Sequence, residues 1–279
     1  VESKAVLNNC KEHFKKSALI VLRLTLVFLI ISSCSQTQIT EFKIMSYNIK
    51  HGVGNDQQLD LSRALEVIKA QSPDLVALQE IDHFAERSDS VDQTHFLASE
   101  LHMTGTFGQF MTFQGGGYGM STLSAKPVSL TKILPLPDGV YEPRISIVQE
   151  IEVAQGTSIL FANVHLDWIA GLEGQETRMA QAAALIEYLN QFDLPTIITG
   201  DFNCEPGSPT MRLFYEAGFV FVPKGPDNLS FQGNTKVEID HVVYRNTPKS
   251  QLQVTFIDLL DEPLVSDHRP LVATVQLTH

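Results

Sequence analysis

Apolar and polar positions alternate along most of the chain in short runs, and these runs read mainly as strands. Phe42–Tyr47 alternates and is rich in β-favouring side chains. Asp74–Leu78 and Leu194–Thr199 are apolar almost throughout, as strands covered on both faces are. Further strands are predicted near Thr106–Phe113, Gly119–Ser124, Arg144–Ile151, Ile159–His165, Val237–Tyr244, Leu252–Leu259 and Pro270–Leu277. A helical period takes over in Leu59–Gln71, where Leu61, Leu65 and Ile68 share a face before Ser72-Pro73 stops the run. Gln175–Phe192 is the strongest helical segment, with Met179, Ala182, Ala183, Ile186 and Leu189 on its predicted apolar side. Val91–His102 and Pro209–Ala217 are predicted as shorter helices. Strand-rich stretches interrupted by helices point to a two-sheet sandwich with helices outside, in one domain spanning residues 41–279.

The first residues follow another pattern. Lys11, Lys15 and Lys16 precede an apolar run from Ala18 to Ile31, broken only by Arg23 and Thr25. The run is shorter than the roughly twenty residues a membrane span needs and suits the core of a signal peptide. Ile31-Ser32-Ser33-Cys34 resembles the lipobox of bacterial lipoproteins, which implies cleavage after residue 33, lipidation of Cys34 and a short tether over residues 34–40. Ser35 in place of Asp favours the outer membrane if the cell is Gram-negative; without the lipid the expectation is secretion. Cys204 is then the one thiol left in the domain, so no disulfide framework is available and a packed, buried Cys204 is expected.

Charge narrows the range of partners. The whole chain carries −12, and residues 1–33 hold five Lys/Arg against two Asp/Glu, so the remainder stands at −15. A body this acidic, with no basic tract, is poorly suited to following a nucleic-acid backbone.

Five short motifs place metal-competent polar residues at the ends of apolar strands. They are Ser46-Tyr47-Asn48, Leu78-Gln79-Glu80, Asn163-Val164-His165, Gly200-Asp201-Phe202-Asn203 and Ser266-Asp267-His268-Arg269-Pro270, with Asp240-His241 one strand pair before the last. One such residue is ordinarily a turn or a helix cap. Five in succession are not explained that way. Carboxylates, amides and imidazoles gathered in this way suit a hard cation and a reaction that builds negative charge.

In their order these motifs, with Asn48-Ile49-Lys50-His51-Gly52, Gly116-Gly117-Tyr118-Gly119 and Glu142-Pro143-Arg144, resemble the endonuclease/exonuclease/phosphatase superfamily over nearly all of residues 41–278, and its bacterial secreted branch more than its DNA-repair branch. The resemblance implies an α/β fold: a four-layer sandwich, deoxyribonuclease I-like, of two face-to-face mixed β-sheets flanked by helices. It implies a divalent-metal-dependent phosphoesterase using Mg²⁺, with Mn²⁺ as the alternative. Glu80, Asn48 and Asp267 would hold the metal. Asp201 would align or deprotonate the attacking water, and Asn203 would donate to that water or to a phosphoryl oxygen. His165 and His268 would stabilise the phosphoryl charge, with Asp240 orienting His268. His268 and Asp201 both stand as candidate proton acceptors. Arg144 and Tyr118 would contact substrate. Lys50 stands where some members carry an additional acidic ligand, which leaves the number of metal ions open.

The expected partners are a phosphoester (a lipid head group, a sugar phosphate or nucleic acid) and a membrane reached through the N-terminal lipid, with no obligate protein partner. The alternatives are an envelope or secreted nuclease and an inactive binding protein on the same fold. The second would be expected to lack at least one of Glu80, Asp201, Asp240 or His268, and all four are present.

Overall fold

The computed structural model describes residues 38–279; the expected signal segment, Cys34 and most of the expected tether lie outside the described residues. The chain runs β1 (Ile39–Asn48), α1 (Leu61–Gln71), β2 (Leu75–His83), α2 (Gln93–Leu101), β3 (Thr104–Phe113), β4 (Gly116–Ser124), β5 (Val128–Pro135), β6 (Ile145–Ala154) and β7 (Thr157–His165). It continues through α3 (Gly171–Leu189), β8 (Thr196–Asp201), α4 (Pro209–Glu216), β9 (Val220–Phe221), β10 (Phe231–Gln232), β11 (Lys236–Val237), β12 (Asp240–Arg245), β13 (Gln251–Leu259) and β14 (Leu271–Thr278). Two six-stranded mixed sheets result, ordered β13-β14-β1-β2-β4-β3 and β5-β6-β7-β8-β12-β9, beside a small β10-β11 ladder. Among the described residues no helix is long and apolar enough to cross a membrane.

Alternation along each strand builds the four layers. Phe42, Ile44, Leu75 and Ala77 of the first sheet meet Ile159, Phe161, Ile197 and Val242 of the second in the central core. The intervening residues face outward. Met45, Tyr47, Val76 and Leu78 pack under α1 and α2, and Leu160, Ala162, Ile198 and Val243 under α3 and α4. Both faces of the central strands are therefore covered, which explains their unbroken apolar sequences. Each fully buried Phe or Ile contributes ~1.5–3 kcal/mol relative to exposure.

The same alternation positions the polar groups. Moving along the inner face toward one end of the sandwich, apolar residues give way to Ser46, Gln79 and Asn163. Gln79 Nε2 donates to Asn163 Oδ1 at 2.7 Å, and Asn163 Nδ2 donates to the carbonyls of Leu78 and Ser121, joining the two sheets. One step further lie Asn48, His165, Asp201 and Asp240. A one-residue slip in any of these strands would turn its polar group out of that face.

Several elements depart from the pattern-based expectation. β5 escapes alternation because it is an edge strand, largely exposed. In α3 the buried stripe is Arg178, Gln181, Ala182, Leu185 and Leu189, while Ala183 is exposed. Arg178 Nη1 donates to the carbonyls of Asp167 and Ile169, and Gln181 binds the Asp167 N–H and the Pro137 carbonyl. These bonds rotate the helix to bury polar groups, which apolar periodicity cannot anticipate. β2 continues past Glu80 to His83, and the expected strand from Val237 is split between β11 and β12. Tyr118 lies within β4, which begins at Gly116, ahead of the strand expected from Gly119.

Candidate active site

The parallel pairs β1/β2 and β7/β8 end on one edge of the sandwich, and the antiparallel β12 and β14 begin there. That arrangement gathers residues far apart in sequence. His165, Asp201 and Asp240 are direct cross-strand neighbours on β7, β8 and β12. Gly200 is needed beside Asp201: its φ is +146°, and an added Cβ would lie 2.0 Å from the Val164 carbonyl oxygen.

Glu80 reaches the same edge by a different device. Next to inward-facing Gln79, it would point toward the helices in a regular strand. A bulge between Gln79 and Ile81, with Glu80 at φ +55°, turns it into the cleft instead. There Glu80 Oε1 accepts from Asn48 Nδ2 at 3.0 Å, and Asn48 Nδ2 also lies 3.3 Å from Asp201 Oδ2. Ser266 Oγ donates to the Asn48 carbonyl and accepts the His268 N–H, tying the last loop to β1.

Asp201 is the hub. Its Oδ2 lies 3.6 Å from His165 Nε2 and 3.7 Å from His268 Nε2, and its Oδ1 accepts the Asn203 N–H at 2.9 Å. Asn203, at φ +50°, donates through Nδ2 to the Leu166 carbonyl. His268 Nδ1 sits 2.9 Å from Asp240 Oδ2, and Ser230 Oγ accepts the N–H groups of Ile239 and Asp240.

Electrostatics separate these groups. Burial opposes charge on His268, but the Asp240 and Asp201 carboxylates overcome it and raise the imidazole to about 10, so it is an imidazolium. His165 is lowered to about 3 by burial and by the Arg144 charge, and is neutral. Asp201 is raised to about 7 by burial and by neighbouring Asp240. Asp240 is also penalised by burial, yet His268 holds it below the ordinary carboxylate value. Burial likewise acts against Glu80, but the His51 imidazole 3.9 Å away, the hydrogen bond from Asn48 and the nearby His268 charge hold it at about 2.

Arg144 is buried, with a side-chain exposure of 1%, and its Nη1 pairs with Glu142 Oε2 at 2.7 Å. Its guanidinium lies over the Phe110 ring and its Nε has no partner. Tyr118 packs edge-on to Phe110 beneath Arg87. Asp267 pairs with Lys50 Nζ at 2.9 Å. All ten non-lipid candidates thus collect at this edge. Pattern reasoning did not reach Glu142, whose only signal was its place in Glu-Pro-Arg, or the bonding of Lys50 to Asp267. Trp168 is 56% exposed at the cleft rather than buried, while Cys204 is buried and free as expected.

Two donor sets suit a cation. Asp201, Asp240 and His268 each offer an atom within 4.8 Å of the others. A protonated imidazole already bonded to Asp240 is a poor ligand, however, since metal binding needs the neutral ring. Glu80, Asn48 and Asp267 offer hard oxygens of the kind Mg²⁺ takes, with Glu80 ionised and aimed into the cleft. At Asp267 an ion has to compete with the Lys50 ammonium.

A single cleft of about 1050 Å³ opens over these residues, bounded on its far side by Trp168, Phe231 and Ile239. Residues 45–268 match the sequence profile described as the Endonuclease/Exonuclease/phosphatase family. A UPF0294 protein of Vibrio cholerae is 24% identical over 205 residues, 67% of this chain and 70% of that protein. Among solved structures, an endonuclease/exonuclease/phosphatase from Beutenbergia cavernae superposes with a TM-score of 0.71 at 20% identity, covering 85% of this chain and 72% of the other. The human nocturnin catalytic domain with bound sulfate gives 0.67 at 22% identity, covering 86% and 97%.

Proposed function

We propose, for a chain that belongs to the endonuclease/exonuclease/phosphatase family, that it hydrolyses phosphoesters by divalent-metal-assisted, in-line attack of water. The observation that carries this reading is the Asp201 hub, a carboxylate raised toward neutrality between a neutral and a protonated imidazole at the floor of a wide cleft. A sulfate in the nocturnin domain, chemically close to a phosphoryl group, supports it.

Glu80, Asn48 and Asp267 would hold Mg²⁺ or Mn²⁺, which when bound neutralises phosphoryl charge. Asp201 takes a proton from the attacking water as the water oxygen bonds to phosphorus and the bond to the leaving oxygen breaks. We assign the proton to Asp201 rather than His268 because an imidazolium has no free lone pair to accept it. His268, fixed by Asp240, instead faces the charge building on the phosphoryl oxygens, with neutral His165 donating beside it. Asn203 holds the Asp201 carboxylate in place through its backbone N–H, while its amide Nδ2 is anchored on the Leu166 carbonyl beside the cleft. Arg144 offers the guanidinium edge not taken by Glu142, and Tyr118 lines the same wall.

We assign this activity to small or membrane-borne phosphoesters at the cell envelope, with Cys34 as the lipid anchor; the charge of −15 outside residues 1–33 supports that choice. The test is turnover of lipid, sugar-phosphate and nucleotide esters and of plasmid DNA, with added Mg²⁺ or with chelator. Metal-dependent turnover of the small or lipid esters is expected. Efficient plasmid nicking with no activity on them would reassign the protein as a nuclease, and no turnover of any ester would overturn the function. Intact-mass analysis that found residues 1–33 still attached would remove the anchor.

A further inference from the structure

The cations of the cleft are already neutralised by the protein itself. Lys50 is spent on Asp267, Arg144 on Glu142 and His268 on Asp240, at 2.9, 2.7 and 2.9 Å. Five carboxylates line the cleft against two guanidiniums, and the second of these, Arg178, gives its Nη1 to two backbone carbonyls. Two of these five, Glu80 and Asp201, face whatever divalent ion the site holds. His165 is neutral and adds a donor but no charge. The site can therefore stabilise one negative charge through N–H groups and metal, and has little positive charge left for a second.

Its shape leads to the same class of ligand. The cleft of about 1050 Å³ is far larger than a phosphoryl group. Its lining includes the apolar side chains of Trp168, Ile169, Phe231, Val237 and Ile239. Trp168 among them is more than half exposed to the cleft.

We infer that the substrate is a phosphodiester monoanion rather than a phosphomonoester dianion, with one ester group lying in the cleft against Trp168, and that Glu142 sets this choice by neutralising Arg144. The inference rests on the phosphoesterase reading and narrows it. Water adds to phosphorus, one ester oxygen leaves as the alcohol, and the other ester group stays on phosphorus. The product is a monoester dianion, which the same charge balance expels.

The test compares bis(p-nitrophenyl) phosphate with p-nitrophenyl phosphate, which share a leaving group and differ in charge, on the full chain with Mg²⁺. The diester should have the higher kcat/KM by roughly tenfold or more, as one uncompensated charge at ion-pair distance implies. Glu142→Gln should narrow the gap by raising the monoester rate, and Trp168→Ala, at an exposed position, should raise KM for the diester more than it lowers kcat. A readout independent of turnover is calorimetric binding of dimethyl phosphate against inorganic phosphate at pH 8. The monoanion should bind more tightly to the wild type, and Glu142→Gln should shift the preference toward the dianion. Equal or better turnover of the monoester, or a preference unmoved in Glu142→Gln, overturns the inference and leaves the phosphoesterase reading standing. Failure to turn over either ester, with neither anion bound, overturns both.

Discussion

Replacing Asp201 by Asn should nearly abolish turnover while making the protein more stable at alkaline pH. The Asp201 carboxyl is raised from 3.8 to about 7, first by burial and then by Asp240. A group whose folded pKa lies above its unfolded value contributes stability below the unfolded value and loses it as pH rises through the folded one. Above pH 7 the folded protein therefore carries an anion disfavoured by about three pH units, an upper bound of ~4 kcal/mol. Asn keeps the oxygen that accepts from the Asn203 N–H. Its new amide N–H₂ faces the Asn48 Nδ2 donor, and such a mismatch costs ~1–2 kcal/mol. The net gain at pH 8 should be ~1–3 kcal/mol, or several degrees in Tm at ~2–4 °C per kcal/mol. The assay is urea unfolding of both proteins in chelator at pH 8 and pH 4, where only the difference between them is read, so titrating groups that do not face Asp201 cancel. The difference should be large at pH 8 and vanish or reverse at pH 4. A variant less stable than the wild type at pH 8 would refute the assignment of Asp201 as a strained carboxylate.

Three further outcomes are expected. Glu80→Gln should preserve the fold and lower activity by ~10–100-fold at limiting Mg²⁺, with partial recovery at high Mg²⁺; an unchanged metal titration would show that Glu80 is not a ligand. If Asp201 and His268 act in one step, Asp201→Asn with His268→Ala should be scarcely slower than the slower single variant, whereas multiplicative losses would separate their roles. His241 is lowered to about 3 by burial and by the Lys224 charge, with Nε2 donating to the Cys204 carbonyl, so its contribution is present above 6.5 and lost as pH falls toward 3. Its ring resonances should stay unchanged between pH 8 and 4.5; a titration near 6.5 would contradict the buried neutral assignment.

Most of this architecture was legible because alternation and chemistry coincide. Ile44, Ser46 and Asn48 lie on the inner face of one sheet, opposite Phe161, Asn163 and His165 on the inner face of the other, so strands that read as apolar also deliver their terminal polar residues to one edge. The Asp240–His268 pair followed from family resemblance and is placed at hydrogen-bonding distance. Three features were not legible, for different physical reasons. The turning of Glu80 into the cleft depends on a bulge, which leaves no periodic trace because it interrupts the period. The buried face of α3 is set by hydrogen bonds from Arg178 and Gln181, residues that polarity scales place outside. Glu142 and Lys50 act through partners whose proximity exists only after folding.

The central claim is that water attacks phosphorus with help from a divalent ion and the Asp201 hub. It is tested most directly by hydrolysis of a phosphodiester in ¹⁸O-labelled water, with mass analysis of both products. With Mg²⁺ the label should appear in the phosphoryl product and not in the alcohol, and neither product should form in chelator or with Asp201→Asn. Label in the alcohol, or undiminished turnover in chelator, would contradict it.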